Sequence, residues 1–521
     1  TLSEQEMVER NMEWYRHLCE EPENKGILLA PVVRAYHEVV KCGIGDPYLA
    51  EEKTGEDLPF EKGHAMEATQ QKQPLDMLSG PIWNKLPRYA LPVAATAILE
   101  QLFNASDLAV VGNFTGEFRT IAVAAVGANS PVIGLVINLF VGIALGANVV
   151  IANAVGQRDG DTVRRTVHTA VLMSVIGGIL VALLGQLAAG PLLGALSVPE
   201  DVLPFALRYL RIYLLGMPAI LLYNFEAAIF RSVGDTKVPL QALIVSGILN
   251  VLMNLFFVAV LHMTVEGVAT ATVLANVFST VILLRRLMRS DLDIRVEPRA
   301  LRIHTDCMGR ILRIGLPAGI QSAVFSVSNI VIQAAINSLG TVVMAGSSAA
   351  FNLELMAYYV LNSFGQACTT FVGQNYGAWK LDRCKRTLVL TVAEDTIATA
   401  AAIALVLLAG RPILAIFNND PQVIEVGYTR LVLVFSAYVF CMLYEVISGY
   451  LRGFGISLVP ALLTTIGVCG IRISWIAFVF PRSLSFNTIM YVYFISLSAT
   501  ALLLFLALLW LRPAKRAAEQ G

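Results

Sequence analysis

The chain lays down the same plan twice. From about residue 88 to 286, and again from about 313 to 512, it carries six long apolar runs with matching punctuation. Leu91-Pro92 opens the first unit and Leu316-Pro317 opens the second. Gly156 in AVGQRDGDTVRR has its counterpart at Gly377 in NYGAWKLDRCKR. RSVGDTKVP (Arg231 to Pro239) returns as RGFGISLVP (Arg452 to Pro460) at the same offset as the glycine pair. A near-constant offset across separated landmarks marks duplication of a whole unit. If each run spans a bilayer, six spans return the chain to its starting side, so both copies have the same orientation.

Composition supplies the solvent. The 521 residues are 56% hydrophobic and 15% charged, where a soluble chain carries about 25% charge. A bilayer core of about 30 Å needs about 20 apolar residues per helix. Twelve runs qualify: 88–112, 120–153, 165–189, 204–230, 237–261, 266–287, 310–336, 341–371, 386–409, 424–450, 457–480 and 487–511. The fold expected is an all-α integral membrane protein of twelve transmembrane helices in two like-oriented six-helix bundles. Residues 88–288 form the first lobe and 310–511 the second, joined by a linker at 289–309 and followed by a tail at 512–521.

With both termini cytoplasmic, 23 Lys and Arg fall on inner segments. Only Arg119, Arg208, Arg211, Arg411, Arg430 and Arg482 fall on outer ones. The positive-inside rule therefore fixes the orientation. Residues 1–65 are polar and lack the apolar core of a signal peptide. They read as short helices or poorly ordered chain, with Met66 as the expected natural start and 66–87 as a cytoplasmic lead-in; a small regulatory segment is the alternative. Seven cysteines without CxxC spacing read as unpaired thiols.

Ionisable residues inside spans are costly, at least about 2.5 kcal/mol at a helix centre, so each is a functional candidate. In ALPVAATAILEQLFNASDLAVVG, Glu100, Asn104 and Asp107 are spaced i, i+4, i+7 and share a helical face. A carboxyl group in a low-dielectric cleft can exchange a proton near neutral pH, and its oxygens can equally ligate Na⁺. Asn250 and Asn254 lie one turn apart in the fifth span and could orient Asp107 or complete a cation shell; interhelical hydrogen bonding for packing is the plainer reading. In the second half Glu354, Glu445 and the adjacent Glu394 and Asp395 are embedded acids, and Arg472 is the embedded base. Glu445 is the expected partner of Arg472, as a structural clamp or a gate. Pro92 and Pro317 occupy matching places and are candidate hinges.

No GxxxxGK[ST] loop, HExxH motif or Ser-His-Asp set occurs, so the chain does not read as an enzyme or a primary pump. Zero net charge gives no reason to expect nucleic acid. Two like-oriented halves with buried acids suit a transporter whose path lies between them.

The segments LPVAATAILEQLFNASDLAVVGNFTG, NAVGQRDGD, FRSVGDTKVP, GQNYGAWK and LRGFG resemble those of multidrug and toxic compound extrusion (MATE) transporters, over about residues 72–515. The likeness is greatest to the branch with the DNA-damage-inducible and Firmicutes drug-efflux members. It implies a V-shaped pair of bundles and alternating access. The cargo would be an amphiphilic or cationic small molecule exchanged for H⁺ or Na⁺, with no other cofactor. The family's first-helix acid falls on Asp107, its kink proline on Pro92 and its fifth-helix Asn on Asn250; where many relatives carry a second Asp, this chain has Asn254. Glu354, Glu445 and Arg472 resemble features of this branch. A monomer in a bacterial plasma membrane is expected. A flippase for lipid-linked precursors, from the same wider superfamily, is the alternative; it would call for a strongly basic cleft. The halves match in skeleton and differ in chemistry: Asn104 recurs as Asn329, but Asp107 is matched by Ile332.

Overall fold

The computed structural model describes residues 75–196, 198–417 and 420–520, all within the compact unit Lys72–Gly521. The extension assigned to residues 1–65, the expected start at Met66, and Cys19 and Cys42 lie outside the described residues. The other five cysteines are buried and free.

The long apolar runs fold as helices, with Pro92, Pro131, Pro191, Pro317 and Pro412 accommodated inside them, and among the described residues there are no strands. The first half comprises α1 (Leu86–Phe114), α2 (Arg119–Gln157), α3 (Gly160–Ala195), α4 (Leu203–Leu215), α5 (Met217–Ser232), α6 (Lys237–Leu255, continued by a π turn Phe256–Val260) and α7 (Val265–Met288). The second comprises α8 (Thr305–Asn337), α9 (Thr341–Gly377), α10 (Leu381–Phe417), α11 (Pro421–Phe435) and α12 (Tyr438–Gly453). It continues through α13 (Leu458–Thr464), a π turn Thr465–Gly470, α14 (Ile471–Phe478), α15 (Phe486–Leu511) and a short α16 (Pro513–Gln520).

The repeat governs the details of the backbone. The starts of α3 and α10, α6 and α13, and α7 and α15 all keep the offset that separates Gly156 from Gly377. So do the left-handed residues Arg158 and Trp379, and the loop glycines Gly234 (φ 92°) and Gly455 (φ 80°). Both glycines sit where an L side chain would be strained. The π turns do not correspond.

Among the described residues, eight helices are long and apolar enough to cross a membrane, or ten if each of two bent pairs counts as one span. The runs read as single spans at 204–230 and 424–450 are these pairs, α4/α5 bent by 50° and α11/α12 by 48°. Gly216 and Pro218 explain the first bend, because proline cannot donate the hydrogen bond that would continue α4. Helices α1 and α9 are 29 and 37 residues long but fall short in apolarity. Their polar side chains are the reason: Glu100, Asn104 and Asp107 on α1, and the i, i+4 stripe Tyr358, Asn362, Gln366, Thr370 and Gln374 on α9. At 39 residues, α2 is about 58 Å long and exceeds any bilayer core. Outward-facing apolar side chains at matched places, Leu187 (79% exposed) and Leu408 (85%), form the surface that lipid would cover.

The halves meet along α2, α8 and α9. Gly142 and Gly146 of α2 lie against the backbone of Gly319 and Gly315 of α8. Gly156 lies against the carbonyl of Gln374 on α9, and Gly377 against the carbonyl of Asn153. Asn153 and Gln374 are themselves a repeat pair at the same offset, so the α2–α9 crossing is one contact made twice about a pseudo-two-fold axis. Hydrogen bonds reinforce this end: Tyr89 Oη with Thr370 Oγ1 (2.8 Å), Thr370 Oγ1 to Asn148 Oδ1 (3.1 Å) and Gln374 Nε2 to the Ser232 carbonyl (2.7 Å). The segment before α1 is held there too, by Lys380 and Arg383 donating to the carbonyls of Met77, Leu78, Ser79 and Gly80. Moving away from the basic loops, the next link is Asn138 Nδ2 to Ser326 Oγ (3.3 Å). Beyond it, Gly134 and Gly127 of α2 have nothing within 4 Å of where a Cβ would stand.

Candidate functional site

Three helices of the first half converge on one carboxylate. Asp107 of α1 is 6% exposed. Its Oδ1 accepts from Asn254 Nδ2 (2.5 Å) and its Oδ2 from Thr272 Oγ1 (3.0 Å). Asn250, one turn before Asn254 on α6, donates from Nδ2 to Thr272 Oγ1 (3.4 Å) and accepts from Asn254 at Oδ1 (3.2 Å). The i, i+4 spacing puts both amides on the face of α6 that meets α1 and α7. Asn254 Oδ1 is buried without a partner. Buried acceptors are nearly always satisfied, so an orphan beside a carboxylate marks a place for a donor or a cation. Asp107, Asn250, Asn254 and Thr272 together present hard oxygen donors of the kind that suit an alkali cation or a proton. No cluster of three or more His, Cys, Asp or Glu that could hold a metal exists among the described residues.

The sequence grouping is therefore realised for Asp107, Asn250 and Asn254. It is not realised for Glu100 and Asn104, which are exposed on α1 and take no part in these hydrogen bonds. Sharing a helical stripe is weaker than sharing a site: Asp107 turns into its own bundle, whereas Glu100 and Asn104 face open space. Pro92 and Pro317 lie inside α1 and α8, and Thr96 Oγ1 takes the Pro92 carbonyl (2.8 Å) as its acceptor. Thr272 escapes the sequence reading because threonine is common in membrane helices and its role appears only when α7 is laid against α1.

In the second half the expected clamp between Glu445 and Arg472 is not formed. Glu354 is instead paired with Arg430, which donates from Nε (3.1 Å) and Nη2 (2.8 Å) to Glu354 Oε2. Arg430 also donates to Ser347 Oγ (2.8 Å) and to Tyr493 Oη (3.4 Å). The count of basic residues puts Arg430 on the outer side, yet it is 2% exposed inside α11. The error is one of depth: α11 belongs to the bent pair, and its arginine points inward. Glu445 accepts from Tyr358 Oη (3.2 Å), and the α9 stripe carries the polar contact onward through Asn362 and Gln366 to Arg231. Arg472 is 4% exposed and bonds to Ser496 Oγ (3.3 Å) and Asn329 Oδ1 (3.4 Å), with its guanidinium 4.3 Å from the Tyr493 ring centroid.

Three more acids stand inside the helices. Asp395 is buried and accepts from Thr399 (2.9 Å), while the neighbouring Glu394 has both oxygens buried and unpartnered. Glu226 of α5, missed by the sequence reading in the run LLYNFEAAIF, is fully buried with neither carboxylate oxygen hydrogen-bonded. The signal for it is plain: a single acid in an otherwise apolar stretch.

Comparison with known proteins identifies the family. Residues 92–256 and 317–477 match the MatE family, one match in each half. The probable multidrug resistance protein YoeA of Bacillus subtilis is 24% identical over 424 residues, covering 80% of this chain and 90% of the relative. The probable multidrug resistance protein NorM of Thermotoga maritima is 24% identical over 409 residues, covering 77% and 86%. Among solved structures, the outward-facing conformation of a multidrug resistance MATE family transporter superposes with a TM-score of 0.77 at 20% identity, over 86% of this chain and 98% of that one. The family match in both copies, the multi-pass helical fold and these relatives together place the chain in the MatE family of multidrug efflux transporters.

Proposed function

We propose that the protein is a secondary antiporter that exports amphiphilic or cationic small molecules in exchange for H⁺ or Na⁺ by alternating access. Its twelve spans would form two six-helix lobes in a V, with both termini in the cytoplasm, as a monomer in a bacterial plasma membrane. The observation that carries this reading is the Asp107 site, a buried carboxylate held by Asn254 and Thr272 beside an orphaned amide oxygen. Such a site can be neutralised by a proton or by Na⁺, and its charge can be coupled to helix packing between states. Glu100 and Asn104 would face the cargo path, and Glu354, Glu445 and Arg472 would lie at the cleft or gate of the other lobe, with the charge of Glu354 already held by Arg430.

The inter-lobe contacts support an outward-open state. The glycine seam closes the end rich in Lys and Arg, and the space beside Gly134 and Gly127 lies at the other end. Pro92 and Pro317 would act as hinges in the change to the inward-open state. The flippase alternative calls for a strongly basic cleft for a diphosphate, and in the second lobe Arg430 is already engaged by Glu354. The test is uptake into proteoliposomes with a panel of fluorescent cations under separate pH and Na⁺ gradients. Transport that ignores both gradients would refute antiport.

A further inference from the structure

The Asp107 site has a structural counterpart in the second half, and its charge is reversed. Thr272 stands in α7 where Tyr493 stands in α15, at the same distance from the helix starts Val265 and Phe486. Asn250 follows Pro239 as Arg472 follows Pro460, except that the arginine comes one position later. That extra position is taken up by the π turn Thr465–Gly470, which precedes Arg472 and has no equivalent before Asn250. Asn104 corresponds to Asn329 and Asp107 to Ile332, which is buried. Where the first half gathers Asp107, Asn250 and Thr272, the second gathers Ile332, Arg472 and Tyr493, with Asn329 accepting from the arginine.

Arg472 is a buried cation with no acid. Among the described residues its hydrogen-bond partners are two neutral oxygens at long distance, Ser496 Oγ (3.3 Å) and Asn329 Oδ1 (3.4 Å). The rest of its environment is aromatic: Tyr493 at 4.3 Å and Phe325 at 6.0 Å from ring centroid to guanidinium carbon. Of the nearby carboxylates, Glu354 is engaged by Arg430 and Glu445 accepts from Tyr358. Among the described residues no carboxylate pairs with Arg472, and a buried guanidinium is rarely left so unless a ligand completes it. Nη2 of Arg472 has no hydrogen bond among the described residues. Asn329 follows Ser322 and Ser326 at i, i+4, i+7 spacing, and Ser326 touches Asn138 of α2, so this stripe of α8 looks toward the other half.

We infer that Arg472 forms a binding site for the carboxylate of an amphiphilic solute, with Tyr493 and Phe325 receiving the solute's apolar body. The fork of a guanidinium suits a carboxylate in bidentate fashion, and its stacking on Tyr493 fixes the plane in which that fork is offered. This deepens the transport reading and rests on it: the cargo would be a zwitterionic amphiphile, with its anionic end at Arg472.

The test is a matched pair of dyes. Rhodamine B carries a free carboxylate, and its ethyl ester shares the same cationic ring system without it. Binding of each to the purified full-length chain is followed by fluorescence anisotropy. The wild type is expected to prefer the acid by about tenfold, the gain of a charge-assisted hydrogen-bonded pair. Arg472→Gln should bring the two affinities within about twofold. Arg472→Lys keeps the buried charge but not the fork, so its preference should fall at least about threefold below wild type, and it carries the test if the glutamine variant fails to fold. Equal affinities in the wild type, or a preference that survives both substitutions, would overturn the site. Gradient-driven transport of the ester is read separately: its loss with the acid preference intact counts against antiport alone, and its survival with equal affinities counts against the Arg472 site alone.

Discussion

Replacing Gly156 by alanine sets two effects against each other. In an isolated helix the change favours the helical state by about 1 kcal/mol. In this structure the added methyl would press on the carbonyl of Gln374, closer than real Cβ atoms approach, and Gly377→Ala would do the same to Asn153. Because the obstacle is backbone, no rotamer change relieves it, and α2 and α9 must separate by roughly 1.5 Å to restore contact distance. Overpacking of this kind typically costs about 1–3 kcal/mol, charged only to the state in which the seam is closed. That corresponds to about a 5- to 150-fold shift toward the state with the basic end open. Spin labels at Asp161 and Asp382, exposed and at matched places near the starts of α3 and α10, would report the separation by electron–electron distance measurement. Gly134→Ala is the control, since nothing lies within 4 Å of its new methyl. Both seam variants should lengthen the main distance and the control should not. If Gly156→Ala and Gly377→Ala give the control's distribution, the seam is not the gate.

Other substitutions probe the remaining parts. Arg430→Met or Glu354→Gln alone should lower thermal stability by about 3–5 kcal/mol by stranding a buried charge, and the double variant should recover most of it; no rescue in a detergent melting assay would count against the pair. Thr272→Val, which removes a donor to Asp107, should cut gradient-driven transport about tenfold, with Thr272→Ser close to wild type; equal loss in both would point to packing. The Ser79 hydroxyl beside Asp76 holds that carboxyl below the usual aspartate range. A lowered value means the group's contribution is present at neutral pH and lost only as pH falls through it. Asp76→Asn should therefore loosen residues 75–82 at pH 7, seen as faster proteolysis, while the wild type loosens only below about pH 4.

Much of the skeleton was legible because duplication leaves marks in the chain. The Leu-Pro openings, the Gly156/Gly377 pair and the Arg…Pro loops all recur in space as they do in sequence. The Asp107 group was partly legible because Asn250 and Asn254 are one turn apart, and an i, i+4 pair must share a face. Thr272 was not, because only the packing of α7 brings it to the carboxylate. The wrong partner for Arg472 has the same cause: which acid meets which arginine depends on helix rotation, and hydropathy does not encode it. Glu445 turns toward α9 and Tyr358, while Glu354 is met by an arginine that the positive-inside count puts outside. The bends at Gly216 and near Ser436 hid within runs that read as continuous, since apolarity persists across a kink.

The central claim is that the charge on Asp107 couples ion entry to export. The direct measurement is uphill export of a fluorescent cation from proteoliposomes, comparing wild type with Asp107→Asn under an imposed pH gradient and, separately, a Na⁺ gradient. Asn keeps the shape of the side chain and removes its charge, so the variant should fold, bind cargo and fail to respond to the gradient that drives the wild type. Gradient-driven export by Asp107→Asn at the wild-type rate would contradict the claim.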